Sequence, residues 1–319
     1  MAADGREALR QISKLRPDVV TLDVEMPNMN GIAVLERVAG KVPVSFVMVS
    51  TLTQAGARIT FEALRKGAFD FITKPDAGGI AGIPEFRREV QQKVLAAAKA
   101  KGVKRHIITG AGGGAPTLPP NRVRGWVVGI GCSAGGTQTL PKILPAFPSD
   151  FVPVVITQHM PPKFTTSFAN MLNNECAMEV REAADGDRLR QGTAYVAPGD
   201  YHLTLVRSGV ELRVKLDRGE KVSGHRPSVD VMFSSLARVC RNRCVGAVLT
   251  GMGHDGADGV RLLKKAGART VAQDEETSLV YGMPMEAAKT GCIDAVAPMT
   301  GIPRKIAELL KENPIGARR

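Results

Sequence analysis

Short apolar runs alternate with helix-spaced segments along this chain, and that alternation limits its possible folds more than any other feature. Over residues 1–98, GREALRQISKL has helical spacing, PDVVTLD is an apolar strand after a proline, and NGIAVLERV is helical again. PVSFVMVS reads as a strand, QAGARITFEALRKG as a helix, AFDFIT as a strand and PEFRREVQQKVLAAAKA as a helix. Strands alternating with helices of this length make βα units and a parallel sheet covered on both faces. The alternation resumes near residue 124, with RGWVVGIGC, FVPVVIT and VGAVLT as strands. YHLTLVRSGVELRVKL alternates with period two around Ser208-Gly209 and reads as a hairpin, which leaves His202 at the surface. The expected class is α/β, with two doubly wound parallel-sheet domains at 1–98 and 124–319. A length of 319 residues suits two domains.

Between them, residues 99–123 form a Gly/Pro-rich linker with the run GAGGGAP and a Pro-Pro. The net charge of +12 is concentrated here, since residues 99–124 carry six basic side chains and no acidic one. Such a segment suits an acidic receptor or membrane surface. One Trp, three Tyr and ten Phe leave few platforms for stacking bases, so nucleic acid is not an expected partner. No apolar run reaches the roughly 18 residues of a membrane span. MAADGREA has an acid at position 4 and no apolar core, so neither a signal peptide nor membrane insertion is expected. Five cysteines without a C-x-x-C suggest buried thiols in a cytoplasmic protein, with no zinc site and no disulfide framework.

In the first segment, TLDVEMPNMNG around Asp23, VMVS ending at Ser50, and FITKP with Lys74 stand at strand ends, where open α/β sheets bind ligands. Together they resemble the response-regulator receiver family, whose domain is flavodoxin-like. The resemblance implies that Asp23 accepts a phosphoryl group from a histidine kinase, that Ser50 tracks the phosphate and that Lys74 pairs with it. It also implies Mg²⁺, held in that family by an acidic pair on the first strand. Only 22 residues precede Asp23, and they supply one helix, so the receiver reads as incomplete and Mg²⁺ binding as doubtful. A weak response to phosphodonors is the expectation.

In the second segment two motifs overlap. Gly129-x-Gly131-x-x-Ala134 fits a dinucleotide fingerprint, and Gly131-x-Ser133-x-Gly135 fits a nucleophile elbow. A dinucleotide fold wants a carboxylate ending the next strand, but Asp150 precedes FVPVVIT and Gln158-His159 ends it. The third strand runs into GMGHDGADG, which brings Asp255 to the same edge. A serine needs a base to take its proton, and the imidazole needs a carboxylate to fix its tautomer. The order Ser, His, Asp is not that of α/β-hydrolases, which points to a convergent triad on a Rossmann-like sheet.

GIGCSAGG, TQHMPPKFT, HRPSVDVMF, LTGMGHDGADG and QDEETSLVYGMPMEA resemble the catalytic domain of chemotaxis protein-glutamate methylesterase/glutamine deamidases. The resemblance spans most of 124–300. It implies Ser133 as nucleophile, His159 as general base and acid, and Asp255 as the orienting carboxylate. It implies the backbone amides of Met252 and Ala134 as oxyanion donors, methyl-accepting chemotaxis receptors as substrate, and no cofactor for catalysis. The second domain is then expected to fold and hydrolyse alone. His254 is a rival base and Cys132 a rival nucleophile. His225 suits a cap or a pocket wall, with a substrate role open to it or to Arg226, and His106 falls in the linker. A non-catalytic receiver-type adaptor and a dinucleotide-binding oxidoreductase are the alternatives.

Overall fold

The computed structural model describes residues 1–75, 83–100 and 125–311. The chain divides into two compact units, Met1–Arg105 and His106–Arg319. The first unit strings together α1 (Gly5–Leu15), β1 (Val19–Asp23), α2 (Gly31–Val38), β2 (Ser45–Ser50), α3 (Gln54–Arg65), β3 (Asp70–Thr73) and α4 (Ile83–Lys99). Lys99, assigned to the linker from sequence, thus closes a helix. The rest of that segment beyond Ala100, His106 included, lies outside the described residues.

The three strands are parallel in the order β1-β2-β3. Side-chain caps start the helices: Asp4 accepts from Glu7 N, Asn30 from Ala33 N and Thr53 from Gly56 N. Each satisfies an amide that the first helical turn leaves open. Leu22, Leu35, Phe46, Met48, Phe61 and Phe71 form the core, each contributing about 1.5–3 kcal/mol by leaving water.

The second unit carries β4 (Val127–Cys132), α5 (Gly136–Ile143), β5 (Val154–Gln158), α6 (Phe164–Asn173), β6 (Glu179–Glu182) and β7 (Thr193–Val196). The hairpin β8 (His202–Ser208) and β9 (Glu211–Asp217) follows, then α7 (Val229–Val239), β10 (Cys244–Val248) and α8 (Ala257–Lys265). The chain closes with β11 (Arg269–Gln273), α9 (Met283–Lys289), β12 (Ala295–Ala297) and α10 (Ile302–Lys311). Seven parallel strands line up as β12-β11-β10-β4-β5-β7-β6, with the antiparallel hairpin apart. β5 starts three residues later than the apolar run suggested, because Pro153 has no N–H to give the ladder.

From β4 the chain builds outward through β5 in one direction and, after α7, through β10 in the other. The order therefore switches between β4 and β10, and such a switch leaves a crevice at the strands' C-terminal ends. α7 packs closely over β4 because two strand positions lack side chains. A Cβ on Gly131 would fall 2.3 Å from a Val229 methyl, and one on Gly129 would fall 2.4 Å from Leu236. The glycines of the apparent dinucleotide fingerprint thus seat a helix on the sheet.

Candidate active site

Ser133 is the first residue beyond β4, His159 the first beyond β5, and Asp255 lies in the loop after β10. Cys132 pairs with Gln158 and Gly131 with Val248, so the three strands end nearly level. The serine turn is fastened to the end of β10. Ser133 N donates to Thr250 O at 3.0 Å, and Thr250 Oγ1 donates to Ala134 O at 2.9 Å. Gly135 then takes φ +84° to enter α5, a left-handed conformation open to glycine at little cost.

His159 Nε2 lies 2.7 Å from Asp255 Oδ2, with 7% of the His159 side chain exposed and 1% of Asp255. Burial acts to raise the Asp255 carboxyl. The His159 hydrogen bond and charge, with the Asp230 and Val229 amides, outweigh burial and hold it below the usual carboxylate range. An ionised Asp255 accepts, so Nε2 carries the proton. Nδ1 is left buried and without a hydrogen-bond partner among the described residues. The ring therefore offers Nδ1 as its free base, the reverse of the usual serine-protease arrangement.

Asp255 is held further by the start of α7. Ser228 Oγ donates to Oδ1 at 2.8 Å, Val229 N to Oδ2 at 2.7 Å and Asp230 N to Oδ1 at 3.0 Å. These amides have no partner inside the helix, and the dipole there favours an anion. The arrangement is reciprocal, because Gly259 N, in the first turn of α8, donates to Asp230 Oδ1 at 2.7 Å. Burial first, and then the Asp255 charge, pushes the Asp230 carboxyl up to about 6.

His202 sits behind Ser228. Its Nδ1 accepts from Ser228 N at 3.2 Å and its Nε2 reaches Glu220 O at 2.9 Å. It is 2% exposed, which corrects the surface placement drawn from strand alternation. Gln158 was also missed from sequence. Its Nε2 donates to Ser133 O at 2.9 Å and His159 O at 3.2 Å, joining the serine turn to the histidine strand. Ser228 did carry a signal, since a serine before an apolar helical run reads as a cap.

The rivals separate cleanly. Cys132 is fully buried with its Sγ on Gln158 Oε1 at 3.1 Å, and burial drives its thiol far above the ordinary range. His254 is exposed, 3.4 Å from Ser223 Oγ. Asp150 is exposed ahead of β5, with no place at a ribose. Among the described residues the amides of Met252 and Ala134 donate to no protein acceptor. A cavity of about 900 Å³ opens beside Trp126 and Arg243, at the opposite strand ends. It contributes nothing to this constellation.

In the first unit, Asp23 ends β1 and its Oδ2 lies 2.6 Å from Lys74 Nζ. Both side chains are about one-third exposed. Ser50 is buried and its hydroxyl turns to Gly56 O at 3.3 Å. Asp23 offers one carboxylate, already ion-paired. Among the described residues no group of three or more His, Cys, Asp or Glu has a metal-binding arrangement.

The second unit thus has the makings of a hydrolase that works through an activated serine on a parallel α/β sheet. Its residues 128–306 match the family model for the CheB methylesterase, and residues 1–80 match the response regulator receiver domain. A protein-glutamate methylesterase/protein-glutamine glutaminase of Sulfurimonas denitrificans is 44% identical, covering 98% of this chain and 90% of that protein. One of Caulobacter vibrioides is 47% identical over 97% of this chain and 89% of its own length. The Thermotoga maritima CheB methylesterase catalytic domain matches structurally with a TM-score of 0.57 at 39% identity, covering 59% of this chain and all of that one. The chain belongs to the CheB methylesterase family.

Proposed function

We propose that this protein hydrolyses γ-methyl esters of glutamate on chemotaxis receptors, and deamidates particular receptor glutamines, through Ser133, His159 and Asp255. One observation carries the reading. Asp255 holds Nε2 of His159 at 2.7 Å, which leaves Nδ1 buried and free to accept the serine proton. Ser133 Oγ attacks the ester carbonyl as His159 Nδ1 takes its proton. The oxyanion falls to the Met252 and Ala134 amides, fixed donors that need no reorganisation. His159 returns the proton to the departing methanol, or to ammonia in deamidation. It then activates the water that cleaves the acyl-enzyme.

Methanol release from methylated receptor membranes tests this. Ser133→Ala is expected to abolish it and Cys132→Ala to spare it; the opposite pattern would reassign the nucleophile.

The receiver unit supports a regulatory role. Asp23 is the proposed phosphoryl acceptor from a chemosensory histidine kinase, with Lys74 and Ser50 as its switch neighbours. Acetyl phosphate with Mg²⁺ is expected to stimulate methanol release weakly, because the Asp23 carboxylate is already paired with Lys74. Strong stimulation dependent on Asp23 would overturn that expectation. Among the described residues no helix is long and apolar enough to cross a membrane.

A further inference from the structure

The stretch His225–Asp230 reaches the catalytic centre at two points. Its second half, Ser228 to Asp230, grips Asp255. Its first residue lies flat on His159, with ring centroids 3.7 Å apart and 13° between the planes. That is van der Waals contact over a whole ring face.

The backbone that carries this ring is fixed on both sides. Val222 N donates to His225 O at 3.1 Å, and His225 N returns a bond to Val222 O at 2.9 Å. Between them Ser223 and Gly224 have φ of 53° and 80°, the signature of a tight type I′ turn. On the other side, Arg226 Nε donates to Asp200 Oδ1 at 3.0 Å and Asp200 N to Arg226 O at 3.1 Å. Two residues beyond Arg226, Ser228 caps α7.

One hydrogen bond fixes a point on a ring and leaves its plane free. With only Nε2 held by Asp255, the His159 imidazole keeps a rotation that changes where Nδ1 points. A parallel ring in contact with its face removes that rotation and occupies the space water would take. Catalytic alignment is sensitive at this scale, since a displacement of about 1 Å costs on the order of 100-fold in rate. We infer that His225 is a positioning residue for the general base, its ring face setting the plane in which His159 presents Nδ1 to Ser133. The inference rests on the assignment of His159 as the base. It makes HRPSVD one structural unit that orients both the base and the carboxylate behind it.

The test compares His225→Ala and His225→Phe with Ser133→Ala in the full chain. Methanol release from methylated receptor membranes gives kcat and KM, and a fluorophosphonate probe gives the labelling rate of Ser133. His225→Ala is expected to lose about tenfold or more in kcat with KM little changed, as misalignment without lost binding predicts. His225→Phe, which keeps a flat ring but no ring nitrogen, is expected to recover most of kcat, and labelling rates to follow the same order. Wild-type kcat in His225→Ala overturns the inference. So does equal impairment of both variants at wild-type melting temperature, because His225 would then act through its nitrogens. If either variant melts early, the labelling rate measured below its melting temperature decides on the same criteria. Activity surviving in Ser133→Ala would instead sink the triad itself, a separate result.

Discussion

The two units place their chemistry alike, at the C-terminal ends of parallel strands, yet hold it very differently. Asp255 is 1% exposed and bonded to His159, Ser228 and two helix amides. Asp23 is about a third exposed, with Lys74 and the amide of Glu25 on its carboxylate. A buried carboxylate with every lone pair engaged is preorganised and does not reorient during turnover. An exposed ion pair is easily exchanged for another partner, because water and salt screen it. The same sheet architecture thus supports a rigid carboxylate–imidazole pair in one unit and a replaceable charge contact in the other.

The sharpest way to break this contrast is to cut both anchors. Asp255→Ala should lower kcat by roughly 10³-fold or more, though less than Ser133→Ala does, since the carboxylate orients the base without transferring a proton. Lys74→Met should leave unstimulated methanol release unchanged and cost no more than about 1 kcal/mol of stability by urea unfolding, as exposed pairs do. Comparable catalytic losses in the two variants would erase the distinction.

Ser228→Ala sharpens it by removing one bond while keeping the helix amides. A hydrogen bond to a charged group is worth about 1.5–3 kcal/mol, so kcat should fall by roughly 10- to 150-fold at most, with KM unaltered. A change in KM alone would assign Ser228 to substrate binding.

The smallest effect lies next door, at Asp230. Its carboxyl titrates near 6, above its ordinary value, so the folded protein holds that proton more tightly than the unfolded chain. Its contribution to stability is present at low pH and is lost as pH rises from about 4 to about 6. Asp230→Asn keeps an oxygen for Gly259 N and removes the titration. Its urea midpoint should decline less across that window than the wild type's. An identical decline would place the pH dependence elsewhere.

The placing of Ser133, His159 and Asp255 at one sheet edge was legible because each follows an apolar run, and strand ends are readable one segment at a time. Their support was less so. Ser228 sits 27 residues from Asp255, and nothing local to either names the other. His202 shows why alternation misled. Period two separates the faces of β8 but does not reveal that the segments at Glu220 and Ser228 close over His202. β6 and β7 are four-residue strands, too short to show a period, so the sheet's far edge went unread.

Val229 has two duties that pull against each other. Its side chain rests where a Cβ on Gly131 would stand, and its amide holds Asp255. The spacing between α7 and the sheet is therefore also the gauge of the Asp255 carboxylate. Enlarging residue 131 would lift the helix and carry the amide off its acceptor unless residue 229 shrank in compensation. Among relatives that keep the reaction, these two positions should drift only in step, a correlation in evolutionary history between two buried residues.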